Sequence, residues 1–148
     1  MREPLTIEGG RVGLFPLQKR HINSVVLSWF QDEDLTRFFS TTFKRFDEES
    51  LRALVETKTG TSATPTYGVV RLRDDLLIGV VTVGPIRPVH GLSDVVTLIG
   101  EQSARGQGLA GETVCLASHL AFKDHGVRKL STAMFADNLA ARKAYASA

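Results

Sequence analysis

Apolar positions along the chain fall into two patterns, helical spacing and β-branched runs. Ile22, Val25, Val26, Trp29 and Phe30 recur at helical spacing, predicting a helix over 19–30 behind a short strand, "RVGLF", that Pro16 closes. "QDEDLTRFFS" opens on acids suited to a helix N-terminus and predicts a further short helical turn. "FDEESLRALVETKTG" predicts a fuller helix: Asp47 can cap it, Leu51, Leu54 and Val55 share a face, and Gly60 stops it. The pattern then changes to β-branched runs. "TYGVVRL" and "LLIGVVTVG", joined at "RDD", predict a β-hairpin, and "DVVTLIG" predicts a third buried strand after the Pro- and Gly-marked "PIRPVHGLS". Helical spacing returns from about Gly108 to His125, with Leu109, Thr113, Leu116, Ala117 and Leu120 on one face. "VRKLSTAMF" predicts another strand and "NLAARKAYASA" a last helix. The order β-α-α-β-β-β-α-β-α is a mixed α/β layout, an antiparallel meander feeding one strand–helix–strand crossover. Residues 1–148 read as a single domain.

Composition narrows the class. Hydrophobic residues at 43% and charged residues at 23% are those of an ordinary globular protein. The net charge of +2 is spread along the chain, with no basic run to serve a nucleic acid. The single cysteine, Cys115, excludes an internal disulfide framework, fits a reducing compartment and is expected as a small core residue of its helix. "MREPLTIEGG" has no apolar signal core and no run reaches membrane-spanning length, so a cytoplasmic protein is expected. His119 lies four residues from Cys115, but no metal-binding motif accompanies the pair and no metal is expected. His90 and His125 read as a loop residue and a helix-end residue.

The chemistry concentrates in "RGQGLAGE", residues 105–112, which carries two patterns at once. Gly106, Gly108 and Gly111 spell the G-x-G-x-x-G of dinucleotide sites, while Arg105, Gly108 and Ala110 spell R-x-x-G-x-A. Both set backbone amides at a helix N-terminus against phosphate. The dinucleotide reading fails on context. Its loop belongs after the first strand with several βαβ steps to follow, whereas here one strand and one helix remain, and Asp124 precedes the strand that should carry the ribose-binding acid.

The second pattern has the right surroundings. "DVVTLIGEQSARGQGLAGETVCLASHLAF" followed by "VRKLSTAMFADNLAARKAY" resembles the core of the GCN5-related N-acetyltransferase (GNAT) superfamily, and Asn138, Ala141 and Tyr145 match its second signature. "SWFQDEDLTRFF" and "VGPIRPVHGLSD" resemble the branch that acetylates ribosomal-protein N-termini and nucleotide-linked amino sugars. The resemblance implies attack of a neutral primary amine on the thioester of acetyl-CoA, the co-substrate. Arg105, Gly106, Gln107, Gly108, Leu109 and Ala110 would hold the pyrophosphate, and main-chain amides near Ile99 and Gly100 the thioester carbonyl. Tyr145 would protonate the departing thiolate, its pKa of about 10 lying near a thiol's of about 8.5. Asn138 would donate to the pantetheine or cap the last helix together with Asp137. Asp94, eleven positions before Arg105, stands where histone-acetylating members carry a general base, unless it pairs with Arg87 or Arg71. Glu101 competes for that role or caps the following turn, and a water relay with no single base is a third option.

The family normally continues past the last helix with further strands, and this sequence ends at Ala148. A C-terminally short chain leaves three readings: truncation, a homodimer whose partner supplies or protects the edge strand, or lost catalysis. Two functions therefore stand side by side, an N-acetyltransferase with a small-molecule or peptide amine acceptor and a non-catalytic acyl-CoA-binding module.

Overall fold

The computed structural model describes residues 4–31, 49, 52–53, 65–84, 86, 89–104, 106–124 and 126–131. Its centre is a six-stranded sheet in sequential order: β1 (Ile7–Glu8), β2 (Val12–Pro16), β3 (Thr66–Arg71), β4 (Leu76–Val83), β5 (Leu92–Ile99) and β6 (Lys129–Ser131). Neighbouring pairs are antiparallel except β5–β6, which is parallel and reached through the long helix α2 (Leu109–Asp124). This is the expected meander with one crossover, in the mixed α/β class that the pattern of positions predicts.

The sequence pattern has no counterpart to β1. Two residues carry no periodicity, and β1 exists because the chain turns back on β2, with Ile7 opposite Leu14 and Gly9 donating to the Val12 carbonyl. The helix predicted over 19–30 is divided into a 3-10 turn (Lys19–His21) and α1 (Ser24–Gln31). Asn23 makes the break, since its side-chain oxygen accepts from the Val26 amide at 3.0 Å and caps α1. Val25, placed on the apolar face by spacing, is 52% exposed, while Ile22, Val26 and Trp29 are buried. The two helical segments predicted between 31 and 60 lie outside the described residues apart from Glu49, Arg52 and Ala53, which are helical. The last predicted helix lies outside them entirely.

Both faces of the sheet are covered. Val12, Leu14, Tyr67, Val69, Ile78, Val81, Val83 and Val95 pack with the buried side of α2, formed by Leu109, Val114, Ala117, Leu120 and Ala121. Phe15, Leu17, Val70, Val80 and Leu98 face the other way, onto Ile22, Val26 and Trp29. Strands buried on both faces read as near-continuous apolar runs, as "TYGVV" and "LIGVV" do. The Leu116 side chain is half-buried and packs at the margin of the α2 core. Cys115, expected in the core, is exposed. It lies on the solvent face of α2 with His119 and Phe122, opposite the buried row.

One irregularity in the sheet directs the chain toward the glycine loop. The β3–β4 register slips between Val69 and Val70, which pair with Gly79 and Leu77 and leave Ile78 as the extra residue of a bulge. The Ile78 carbonyl collects the amides of both Gly100 (2.9 Å) and Glu101 (3.0 Å). That pair of hydrogen bonds ends β5, and the chain passes into a 3-10 turn, Gln102–Ala104, and then the glycine loop.

Candidate active site

The glycine loop leads directly into α2. Gly106 and Gly108 both have φ of +75°, a left-handed conformation that costs an L side chain roughly 1–2 kcal/mol. The first helical backbone bond runs from the Glu112 amide to the Gly108 carbonyl at 3.3 Å. The amides of Leu109, Ala110 and Gly111 therefore have no acceptor within the helix, the set of donors that binds anions at helix N-termini.

Two arginines flank this segment. Arg11, immediately before β2, donates from Nε to Glu112 Oε2 (2.8 Å), from one terminal nitrogen to the Gln107 carbonyl (2.6 Å) and from the other to the Gly108 carbonyl (3.4 Å). Glu112 Oε1 in turn accepts from the backbone amides of Arg11 (2.8 Å) and Val12 (3.3 Å). Burial acts to raise the Glu112 carboxyl, but the bonds from the Arg11 amide, the Arg11 side chain and the Val12 amide outweigh it, holding the group below the usual range. Arg71, on β3, forms a two-pronged pair with Asp74 (2.6 and 3.0 Å) and reaches Ser103 Oγ at 3.2 Å. The hydrogen bond from Arg71 holds the Asp74 carboxyl low, and the same bond raises Arg71. Gln107 closes the arrangement, its side-chain amide donating to the Ser103 carbonyl at 2.7 Å.

Spacing in the sequence singled out neither Arg11 nor Glu112. Arg11 lies 101 residues from its partner, and the one available signal was an acid in the first turn of a helix that follows a glycine loop. Arg71, considered as a partner for Asp94, is paired with Asp74 instead. Asp74 follows three residues later in the β3–β4 turn, where Asp75 takes a φ of 54°.

At the end of β5, the two amides expected near the thioester part ways. Gly100 donates to Ile78, and antiparallel ladders alternate, so the Ile99 N–H points away from β4 toward the β6 side. Gly100 also meets Trp29 of α1: a Cβ there would lie 2.1 to 2.6 Å from three atoms of the indole. Thr97, two residues before Ile99, has the one buried side-chain oxygen without a hydrogen-bond partner among the described residues. A polar ligand lying along β5 would satisfy it.

Ile99, Gly100, Glu101, Gly106, Gln107, Gly108, Leu109 and Ala110 follow one another along the chain from the end of β5 to the head of α2. Glu101 is half-buried, and its carboxylate accepts from the amide (3.4 Å) and hydroxyl (3.2 Å) of Ser103, the arrangement of a turn cap. Asp94 sits in β5 opposite Ser131 of β6. Arg105, Asn138 and Tyr145 lie outside the described residues.

Comparison with known proteins fits this geometry. The sequence matches the family model described as acetyltransferase (GNAT) domain over residues 11–148. The chain belongs to the GNAT acetyltransferase family. Its reaction class is acetyl-CoA-dependent N-acetyl transfer, with acetyl-CoA as co-substrate. Among solved structures, the fold is similar to a spermidine N-acetyltransferase from Vibrio cholerae in complex with CoA and spermine, at TM-score 0.80 and 16% identity over 93% of this chain and 79% of that one. It is similar to a GNAT-family acetyltransferase from Bacillus anthracis at TM-score 0.79 and 15% identity, covering 95% and 80%. An aminoglycoside acetyltransferase in complex with coenzyme A and kanamycin gives TM-score 0.75 and 16% identity, covering 92% and 81%. No curated protein matches the sequence. Among the described residues, no helix is long and apolar enough to cross a membrane.

Proposed function

We propose that residues 1–148 form one catalytic domain that transfers the acetyl group of acetyl-CoA to a primary amine by direct attack within a ternary complex. The observation that carries the reading is the left-handed glycine pair at the head of α2. It leaves consecutive backbone donors for a pyrophosphate and open space beside Gly106, where nothing lies within 4 Å of a built Cβ. Gly106, Gln107, Gly108, Leu109 and Ala110 hold the diphosphate, with Arg105 adding charge. The Ile99 amide is assigned to the thioester carbonyl in preference to that of Gly100, which Ile78 already engages. The Thr97 hydroxyl and Asn138 are assigned to the pantetheine. Acetyl-CoA supplies the activated acyl group; the chain supplies orientation, a base and an acid.

Proton removal falls to Asp94 rather than Glu101, whose carboxylate is occupied by Ser103. Tyr145 returns a proton to the thiolate. Similarity to proteins solved with spermine and kanamycin supports a polyamine or amino-sugar-like acceptor, within the small-molecule or peptide amines expected of the ribosomal-protein and amino-sugar branch that the sequence resembles. The lone cysteine supports a reducing, cytoplasmic setting.

Calorimetric titration with acetyl-CoA, with NADH as control, tests the first step; binding of NADH alone overturns the reading. Tyr145→Phe then lowers kcat by roughly 10²-fold or more while leaving acetyl-CoA affinity intact. Asp94→Asn lowers kcat and removes a limb of its pH profile, whereas Glu101→Gln does neither. Equal effects of the two carboxylate variants would remove Asp94 from its role.

A further inference from the structure

We propose that Arg11 and Glu112 are positioning residues that aim the backbone of the glycine loop at the diphosphate, resting on the reading of that loop as the phosphate site. A trans peptide sets its C=O and the following N–H on opposite sides. Arg11 draws the carbonyls of Gln107 and Gly108 to one side, so the amides of Gly108 and Leu109 are turned to the other. A guanidinium suits the task because its donors fork in one plane, toward two carbonyls and a carboxylate together. Glu112 fixes that plane through Nε and ties the Arg11 and Val12 amides with its other oxygen. Its place is kept open by Gly9, where a Cβ would lie 2.5 Å from Glu112 Oε1.

This role makes a prediction opposite to that of charge alone. Glu112 is an anion one helical turn from the phosphate site, so by Coulomb's law Glu112→Gln should tighten binding of an anionic ligand. A brace predicts the reverse, because without the carboxylate the Arg11 fork loses its fixed plane. Gly9→Ala changes no charge and displaces the same carboxylate.

The experiment measures the Kd of acetyl-CoA and of S-acetylpantetheine, which lacks the diphosphate, for the wild-type chain, Glu112→Gln and Gly9→Ala. Expected is about tenfold weaker acetyl-CoA binding in both variants, with S-acetylpantetheine unchanged, KM for acetyl-CoA raised and kcat at saturation kept. Tighter or unchanged acetyl-CoA binding in Glu112→Gln overturns the brace, as does equal weakening of both ligands, the mark of a general structural role. Gly9→Ala keeps the test decisive if Glu112→Gln does not fold. A wild-type chain that binds both ligands equally defeats the phosphate-loop reading itself, an outcome distinct from failure of the brace.

Discussion

Gly100 and the pair Gly106 and Gly108 stand a few residues apart, and they are glycines for opposite reasons. Gly100 is buried with no room for a side chain, because the Trp29 indole occupies the place of a Cβ. Gly106 and Gly108 are exposed, Gly106 with open space and Gly108 with only the Arg11 guanidinium 3.6 Å from a built Cβ, but their φ of +75° disfavours any side chain. The first is a packing constraint and belongs to the core between β5 and α1. The second is a backbone constraint and belongs to the loop for which we propose phosphate binding.

Substitution separates the two. The largest effect on stability is expected from Gly100→Ala, which forces a methyl into the indole and should lower the unfolding free energy by about 1–3 kcal/mol in denaturant melts. The double variant Trp29→Leu, Gly100→Ala should recover part of that loss; a purely additive pair would mean that Trp29 is not the obstacle. Gly106→Ala should cost less, about 1 kcal/mol, while weakening acetyl-CoA more than Gly100→Ala does in the folded fraction. Arg11→Gln should cost less than about 1 kcal/mol of stability, since the Arg11 side chain is 54% exposed, so its main effect should appear in the KM for acetyl-CoA.

The smallest effect concerns acid. The Glu112 pKa is held below its ordinary value of 4.5, so the group's contribution is fully present above that value and lost as pH falls through the lower folded value. Glu112→Gln should flatten that acid limb, and melts at pH 6 and pH 3 would show it. An unchanged difference between the two pH values would locate the acid sensitivity elsewhere, with Asp74, whose pKa is also lowered by its arginine, the next to test.

The sequence was informative where a physical demand leaves a local trace. Near-continuous apolar runs mark β3, β4 and β5 because the core covers both faces of the sheet, and the glycine spacing marks the loop because φ above zero favours glycine over other residues. Asn23 shows a weaker trace: a capping residue inside an apolar run of helical period divides the helix, and periodicity alone reads through it. Arg11 left no trace. Its partners are a carboxylate 101 residues away and two backbone carbonyls, which no residue type announces. Nor did the bulge at Ile78, which decides the direction of the Gly100 amide, since "LIGVV" reads the same with or without an extra residue. Cys115 misled for a related reason: small residues scattered over α2 define its buried rows less sharply than leucines would.

The link from Arg11 to Glu112 also bears on the order of assembly. Contacts that close a long stretch of chain form late, because the entropy of closure is spent before the contact stabilises anything, and here the sheet strands and α2 must already be docked. The glycine loop is thus expected to gain its final shape among the last steps of folding. A nascent chain can complete the β3–β4 hairpin early, yet it has no braced loop until residue 112 has been made and has found β2. Ligand capture, followed in time during refolding, would accordingly lag the appearance of the sheet, and the lag would measure how long the two distant segments take to meet.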